Sequence, residues 1–324
     1  MLGAIAFALL LSFADIRKVG AAFQSFPPIY IPLIFGLVAA REAVRVGEWH
    51  YLLHALGQRT LWRHSLITLL GGDASQILPA GVYFQNYLLQ QAEGTAIAVS
   101  LPATLAMQLL EAAVALVVLA IVGVPGWSWL RPVAIVILLG YALFLVLISR
   151  PPVIVWLEQR ASRRGHAAWI MDQFAHFLEG LEDLMSPGVI LRAGGLTAAY
   201  LVFTVGAFYA TTRAYGLTNV GLAQAAAIYC FVLTLIILVP LPSDWGLSEG
   251  SGVAVLLAYG VPLAQGLTIM LIIRFSVLLF TEVLAGGVLL LLRRELRHLT
   301  GQPIVEELAA PPSASWRRSA PRSS

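Results

Sequence analysis

Apolar residues run along this chain in long blocks, at about 1–14, 26–44, 65–90, 96–124, 129–149, 189–212, 222–261 and 265–292. Several approach or exceed the roughly 20 residues that a helix needs to cross a bilayer. None alternates as a lipid-facing strand would, so helices are left as the way to satisfy backbone groups in lipid. Two blocks are interrupted in the middle. Block 65–90 contains GGDASQILPAG at 71–81, and block 222–261 contains PLPSDWGLSEG at 240–250.

Basic residues mark the cytoplasmic side of a membrane chain. They fall in three groups: Arg41, Arg45, Arg59 and Arg63; Arg150, Arg160, Arg163 and Arg164; and Arg293, Arg294 and Arg297. With all three inside, 26–44 and 129–149 run inward and 96–124 runs outward. Residues 41–95 then begin and end inside, although 65–90 is apolar. A re-entrant hairpin that enters from the cytoplasm and turns at 71–81 solves this. In the second half, 189–212 runs outward and 265–292 inward, so 222–261 begins and ends outside. A second hairpin, entering from the exterior, is the counterpart.

The expected fold is therefore an all-α integral membrane protein. It has about six spanning helices and two oppositely oriented re-entrant hairpins in an inverted repeat. The alternative is ordinary helical pairs with short loops, giving eight full spans. Paired, Gly/Pro-interrupted apolar segments in corresponding positions point to a transporter binding site. Irregular backbone at membrane depth is tolerated where it is buried in protein or lines a cavity.

Composition agrees. The chain is 59% hydrophobic and 11% charged, against about 25% charged in a soluble domain. Its mean hydropathy is +0.83. The single cysteine, Cys230, excludes a disulfide framework within one chain. The N-terminal MLGAIAFALLLSF has no basic leader and no cleavage site, and reads as a first helix whose start stays open.

The membrane domain is expected over 1–298 and a basic, Pro/Ser/Ala-rich disordered tail over 299–324. Within 155–186, Ile170, Phe174, Phe177, Leu178, Leu181 and Met185 share one helical face. Asp172, His176, Glu179, Glu182 and Asp183 lie opposite. This predicts a cytoplasmic amphipathic helix. Its acidic face suits docking on the protein's own surface better than an anionic membrane.

Ionisable groups inside spans cost about 2.5–3.5 kcal/mol each on insertion scales, so each is a functional candidate. Glu111 lies in 96–124, and Arg274 and Glu282 lie in 265–292. Asp73, Asp244 and Glu249 lie at the two hairpin turns. Arg274 is far from any interface and needs a partner, for which Asp244 or Glu249 is the candidate. A structural ion pair is the plainer reading of the same residues. Residues 246–253 are expected to start a half-helix near Gly246, capped by Ser248 or Ser251, with free N–H groups suited to phosphate.

Other motifs fail on inspection. Gly246-Leu247-Ser248-Glu249-Gly250 matches G-x-S-x-G, but it lacks the preceding strand and the partner histidine of a nucleophile elbow. His50 and His54, with Glu48 nearby, make an incomplete metal set and read as loop histidines at the interface. No Walker A pattern is present, so there is no sign of self-contained ATP use; no cofactor and no metal are expected.

Both hairpin segments carry a resemblance. Arg41-Glu42, Trp49-His50-Tyr51-Leu52-Leu53, Gly57 and Leu78-Pro79-Ala80-Gly81 are similar to a first-half family pattern. Pro240, Pro242, Gly246, Leu247, Glu249, Gly260, Arg274 and Gly286 resemble its second-half signature, P-x-P-G-G-L-G-x-x-E followed by an arginine-bearing helix. Here Ser243-Asp244-Trp245 replaces the small Gly-Gly. The family is the flippase-like transmembrane domain of lysylphosphatidylglycerol synthase, and the resemblance covers about 1–295.

The resemblance implies transfer of a polar phospho- or aminoacylated lipid between leaflets of the inner membrane, by a transporter and not an enzyme. The C-terminus would be cytoplasmic. The candidate substrate-binding residues are Arg274, Asp244, Glu249, Gly246, Ser248, Asp73, Pro79, Gly81 and Glu111. A non-transporting scaffold that recruits a lipid-modifying enzyme through 155–186 is the alternative. The expected partner is membrane lipid, with no nucleic acid. The oligomeric state stays open, a homo-oligomer included.

Overall fold

A computed structural model describes residues 16–75, 83–148, 177–238 and 246–291. Among the described residues the elements are helices joined by turns. In order they are α1 (Ile16–Gln24), α2 (Tyr30–Ala55), α3 (Trp62–Ala74), α4 (Phe84–Glu93), α5 (Ile97–Val122), α6 (Leu130–Ile148), α7 (Pro187–Ala214), α8 (Leu222–Leu238), α9 (Leu247–Ala258) and α10 (Leu263–Leu291). A further helical stretch occupies 177–184. The 299–324 tail, the first part of the N-terminal block and most of the 155–186 amphipathic segment lie outside the described residues.

Length and apolarity suit three stretches to crossing a membrane: α5, α7 and Leu263–Leu284 of α10. Their outward faces are apolar, as are those of α6. Ile121, Val136, Leu139, Leu191, Val202 and Val283 are all exposed. Contiguous apolar surface of this kind suits lipid and not water. The interruption in each broken block separates two helices that pack on one another, α3 with α4 and α8 with α9. Gly71 and Gly72 permit the first pairing, because a Cβ at Gly72 would lie 2.7 Å from the Gln85 Cβ.

Helix α2 corrects one expectation. The apolar block 26–44 was expected to end at Arg41 and Arg45, in a cytoplasmic basic group. Instead α2 continues without a break through both arginines to Ala55, about 39 Å in all. Only Arg59 and Arg63 lie beyond its end, and both are exposed. The rule that places arginine outside rests on the cost of a bare charge in lipid. That cost falls when the protein supplies its own counter-charges, as it does here. His50 and His54 are likewise on α2 and not in a loop.

Every substantial packing pair among these ten helices has a mate under one exchange: α1 for α6, α2 for α7, α3 for α8, α4 for α9 and α5 for α10. Thus α5 packs on α8 as α10 packs on α3, and α6 lies on α5 as α1 lies on α10. The most extensive pair, α2 with α7, maps onto itself. Two similar five-helix halves therefore interlock, each placing its long last helix against the other's broken pair.

The buried apolar residues form two cores. One gathers Ile34 and Val38 of α2, Ala115 and Leu119 of α5, and Phe208 of α7 with buried apolar residues of α8, α9 and α10. The other gathers Val46 and Trp49 of α2, Leu69, Leu89, Met107 of α5 and Ala193 of α7. Leu184 joins the second core from the 177–184 helix, whose Glu179, Glu182 and Asp183 stay exposed. Along α2, α5 and α7 the two cores are separated by one polar layer, close to the middle of each helix.

Candidate functional site

The first turn of α9 follows the PLPSDW segment. Gly246 opens it with φ 83°, a left-handed conformation that a Cβ would strain. Glu249, in the third helical position, folds back. Its Oε2 accepts from the Gly246 backbone N–H at 2.6 Å. A carboxylate here satisfies an orphan donor and complements the positive helix end. Its other oxygen, Oε1, lies 2.5 Å from Nη1 of Arg274 on α10. The same guanidinium nitrogen donates to Ser248 Oγ at 2.5 Å. Glu249 and Ser248 are buried. A close approach of α9 to α10 at Gly252, against Met270, sets the distance between the two helices.

Of the two candidates for Arg274's partner, Glu249 is in contact with it, and Asp244 lies outside the described residues. The cap, however, is not the expected serine. Gly246 has no side chain to offer, Ser248 is turned toward Arg274, and Ser251 donates to the Ser248 carbonyl at 3.3 Å. Glu249 does the capping because a carboxylate at the third position reaches back where a hydroxyl does not.

A second charged centre fills the polar layer between the cores. Arg41, Arg45 and Glu48 are spaced to share one face of α2. Arg45 Nη2 lies 3.0 Å from Glu111 Oε2 of α5. Its Nη1 is 3.8 Å from Glu48 Oε2. Arg41 donates to the Tyr200 hydroxyl of α7 at 3.0 Å and lies 3.2 Å from Glu42. Both guanidiniums stand over the Tyr200 ring, at 5.0 and 4.7 Å. Such cation–π contacts strengthen when desolvated. Glu48 is fully buried, and its Oε1 is 2.6 Å from Thr197 Oγ1 of α7. Asp73, at the end of α3, interacts electrostatically with Arg45.

At the first broken pair the chemistry is neutral. Thr104 of α5 accepts from Gln85 Nε2 at 2.7 Å and from Asn86 Nδ2 at 2.9 Å, and donates to Asn86 Oδ1 at 3.1 Å. All three residues are buried.

The sequence-derived candidates thus divide. Arg274, Glu249, Ser248 and Gly246 form one centre, while Glu111 and Asp73 belong with Arg45 in another. Asp244, Pro79 and Gly81 lie outside the described residues. Sequence reading missed Arg41, Glu42, Arg45, Glu48, Thr197 and Tyr200 as site residues. The signal was available in the i, i+4, i+7 spacing of Arg41, Arg45 and Glu48. The His50 and His54 rings lie 4.4 Å apart and tilted by 58°, and their ring nitrogens meet Ser65 Oγ and the Thr60 carbonyl. Among the described residues no cluster of three metal-ligating side chains occurs.

The arrangement of a partly buried arginine on a long helix, with a Gly-opened short helix facing it, coincides with a sequence match. The family model described as lysylphosphatidylglycerol synthase TM region matches residues 1–286. The chain belongs to that family. Both charged centres and both broken pairs lie inside the matched region. Membership, with the apolar helices, makes this a membrane protein linked to lipid handling. No curated protein matches the chain.

Proposed function

We propose that the protein moves a polar lipid between the leaflets of the inner membrane. Its head group passes a hollow between two hairpins, α3–α4 and α8–α9, that enter from opposite faces. The exchange relation of the helices supports this reading. In this reading α2, α5 and α6 cross the membrane between the two similar halves, which would then sit upside down relative to each other, as in inverted-repeat transporters.

One observation carries the proposal: Glu249 bridges the N-terminal N–H of α9 and the guanidinium of Arg274. A carboxylate that fills both positions stands where a lipid phosphate would bind, since helix N-termini and arginine are the two commonest grips on that group. An anionic head group enters by displacing Glu249 from Arg274, and Glu249 returns when it leaves.

The test is reconstitution in vesicles with labelled phospholipid. Wild type is expected to move lipid between leaflets and Arg274→Ala is not; equal slow movement by both would sink the proposal. The orientation is tested separately by cysteine labelling after Cys230 is replaced. Position 75 should react from the cytoplasmic side and position 243 from outside.

A further inference from the structure

Among the described residues the charges of the centre on α2 do not balance. Two guanidiniums, Arg41 and Arg45, meet three carboxyl groups, Glu42, Glu48 and Glu111. Asp73 adds a fourth acid by its interaction with Arg45. Tyr200 of α7 and Tyr229 and Cys230 of α8 are the further titratable groups of this layer among the described residues. From α10, Arg274 is engaged by Glu249, and Glu282 is exposed. An uncompensated carboxylate in such an interior is costly, and buried groups neutralise instead.

We propose that Glu48 is a proton-binding site, its carboxyl group carrying a hydrogen that it donates to Thr197. The hydrogen inventory selects this residue. Thr197 Oγ1 lies 2.6 Å from Glu48 Oε1 and 3.0 Å from the Ala193 carbonyl. A hydroxyl has one hydrogen and cannot donate fully to two acceptors. The 2.6 Å distance suits either polarity. The carbonyl accepts only, so Thr197 gives its hydrogen there and receives one from Glu48.

The remaining contacts agree. Arg45 Nη2 is held by Glu111 at 3.0 Å, while its Nη1, buried without a hydrogen-bond partner, lies 3.8 Å from Glu48 Oε2, too long for a hydrogen bond. Glu48 Oε2 is buried without a hydrogen-bond partner, as are both oxygens of Glu42. Glu42 has Arg41 beside it, whereas Glu48 shares Arg45 with Glu111 and lies the farther of the two from it.

The proton gives the centre two states. When Glu48 releases its proton, the carboxylate needs Arg45 and competes with Glu111 of α5 for it. The hold between α2 and α5 loosens as a result. Coupling of this change to lipid movement rests on the transport reading above, whereas the protonation itself does not.

Infrared spectra of the full chain in lipid vesicles at neutral pH test the site directly. Wild type is expected to show the C=O stretch of a protonated carboxyl group that is lost in Glu48→Gln. A wild-type spectrum unchanged by that substitution overturns the proposal. Thr197→Val, which keeps Glu48, should shift the band to higher frequency by removing its acceptor. If Glu48→Gln does not fold, this shift decides, and its absence overturns the proposal. A lipid-movement assay on the same vesicles separates the two readings. The band without lipid movement upholds the proton site and takes away the transport reading alone.

Discussion

At the same step of its two halves the molecule solves one packing problem with different chemistry. The second and third residues of α4, Gln85 and Asn86, tie that short helix to Thr104 of α5. The second and third residues of α9, Ser248 and Glu249, tie it to Arg274 of α10. The first tie is neutral and complete. The Thr104 hydroxyl accepts twice and donates once, which exhausts its capacity. The second is ionic, and each charge is held by a group for which a ligand of like charge can compete. A neutral lock offers an anion nothing in exchange, so under the proposed transport the second half is the end where a head group would be exchanged. The first half would then serve as the fixed frame.

The sharpest way to break this comparison is to remove one charge. Arg274→Ala leaves Glu249 buried without its cation, and breaking such a pair costs about 3–5 kcal/mol. Thermal unfolding in detergent should show the loss. The double variant Arg274→Ala/Glu249→Gln removes the stranded charge and is expected to recover most of the stability while lipid movement stays absent. A double variant as unstable as the single one would mean that charge is not what matters at this joint.

On the neutral side, Thr104→Val keeps the shape and removes the hydroxyl that two buried amides share, leaving Asn86 its bond to the Tyr83 carbonyl. The expected destabilisation is about 1–3 kcal/mol, the desolvation cost of the bonds lost. Lipid movement per folded molecule should be unchanged. Loss of movement with stability retained would show that both joints handle the ligand and that the asymmetry carries no function.

Much of this was legible in the sequence. The interruptions at 71–81 and 240–250 located both broken pairs, because prolines and glycines inside apolar runs have few other uses. Arg274 announced itself as a charge with no interface near it, and Glu249 was one of two acids within reach. What escaped was the centre on α2. The rule that reads Arg41 and Arg45 as cytoplasmic markers treats each arginine alone. The compensating groups, Glu111, Thr197 and Tyr200, lie far along the chain, and no local pattern ties them to α2. The cap of α9 was misread for a related reason. Serine is the commoner cap, but Arg274 is 26 residues from Ser248 and claims its hydroxyl only in three dimensions.

The smallest effect concerns how closely each short helix approaches its neighbour. A Cβ at Gly72 would lie 2.7 Å from the Gln85 Cβ and 3.2 Å from its backbone nitrogen, so α3 and α4 must part. Overpacking of this kind costs about 1–3 kcal/mol, against which alanine returns about 1 kcal/mol of helix propensity. Gly72→Ala is therefore expected to lower stability by about 1 kcal/mol. A Cβ at Gly252 meets only the thioether end of Met270, and methionine is the side chain best able to move aside. Here the two terms nearly cancel, and Gly252→Ala should fall within about 0.5 kcal/mol of wild type by thermal unfolding. If Gly252→Ala proves the more damaging of the two, the rigid frame lies in the second half and the assignment of roles must be reversed.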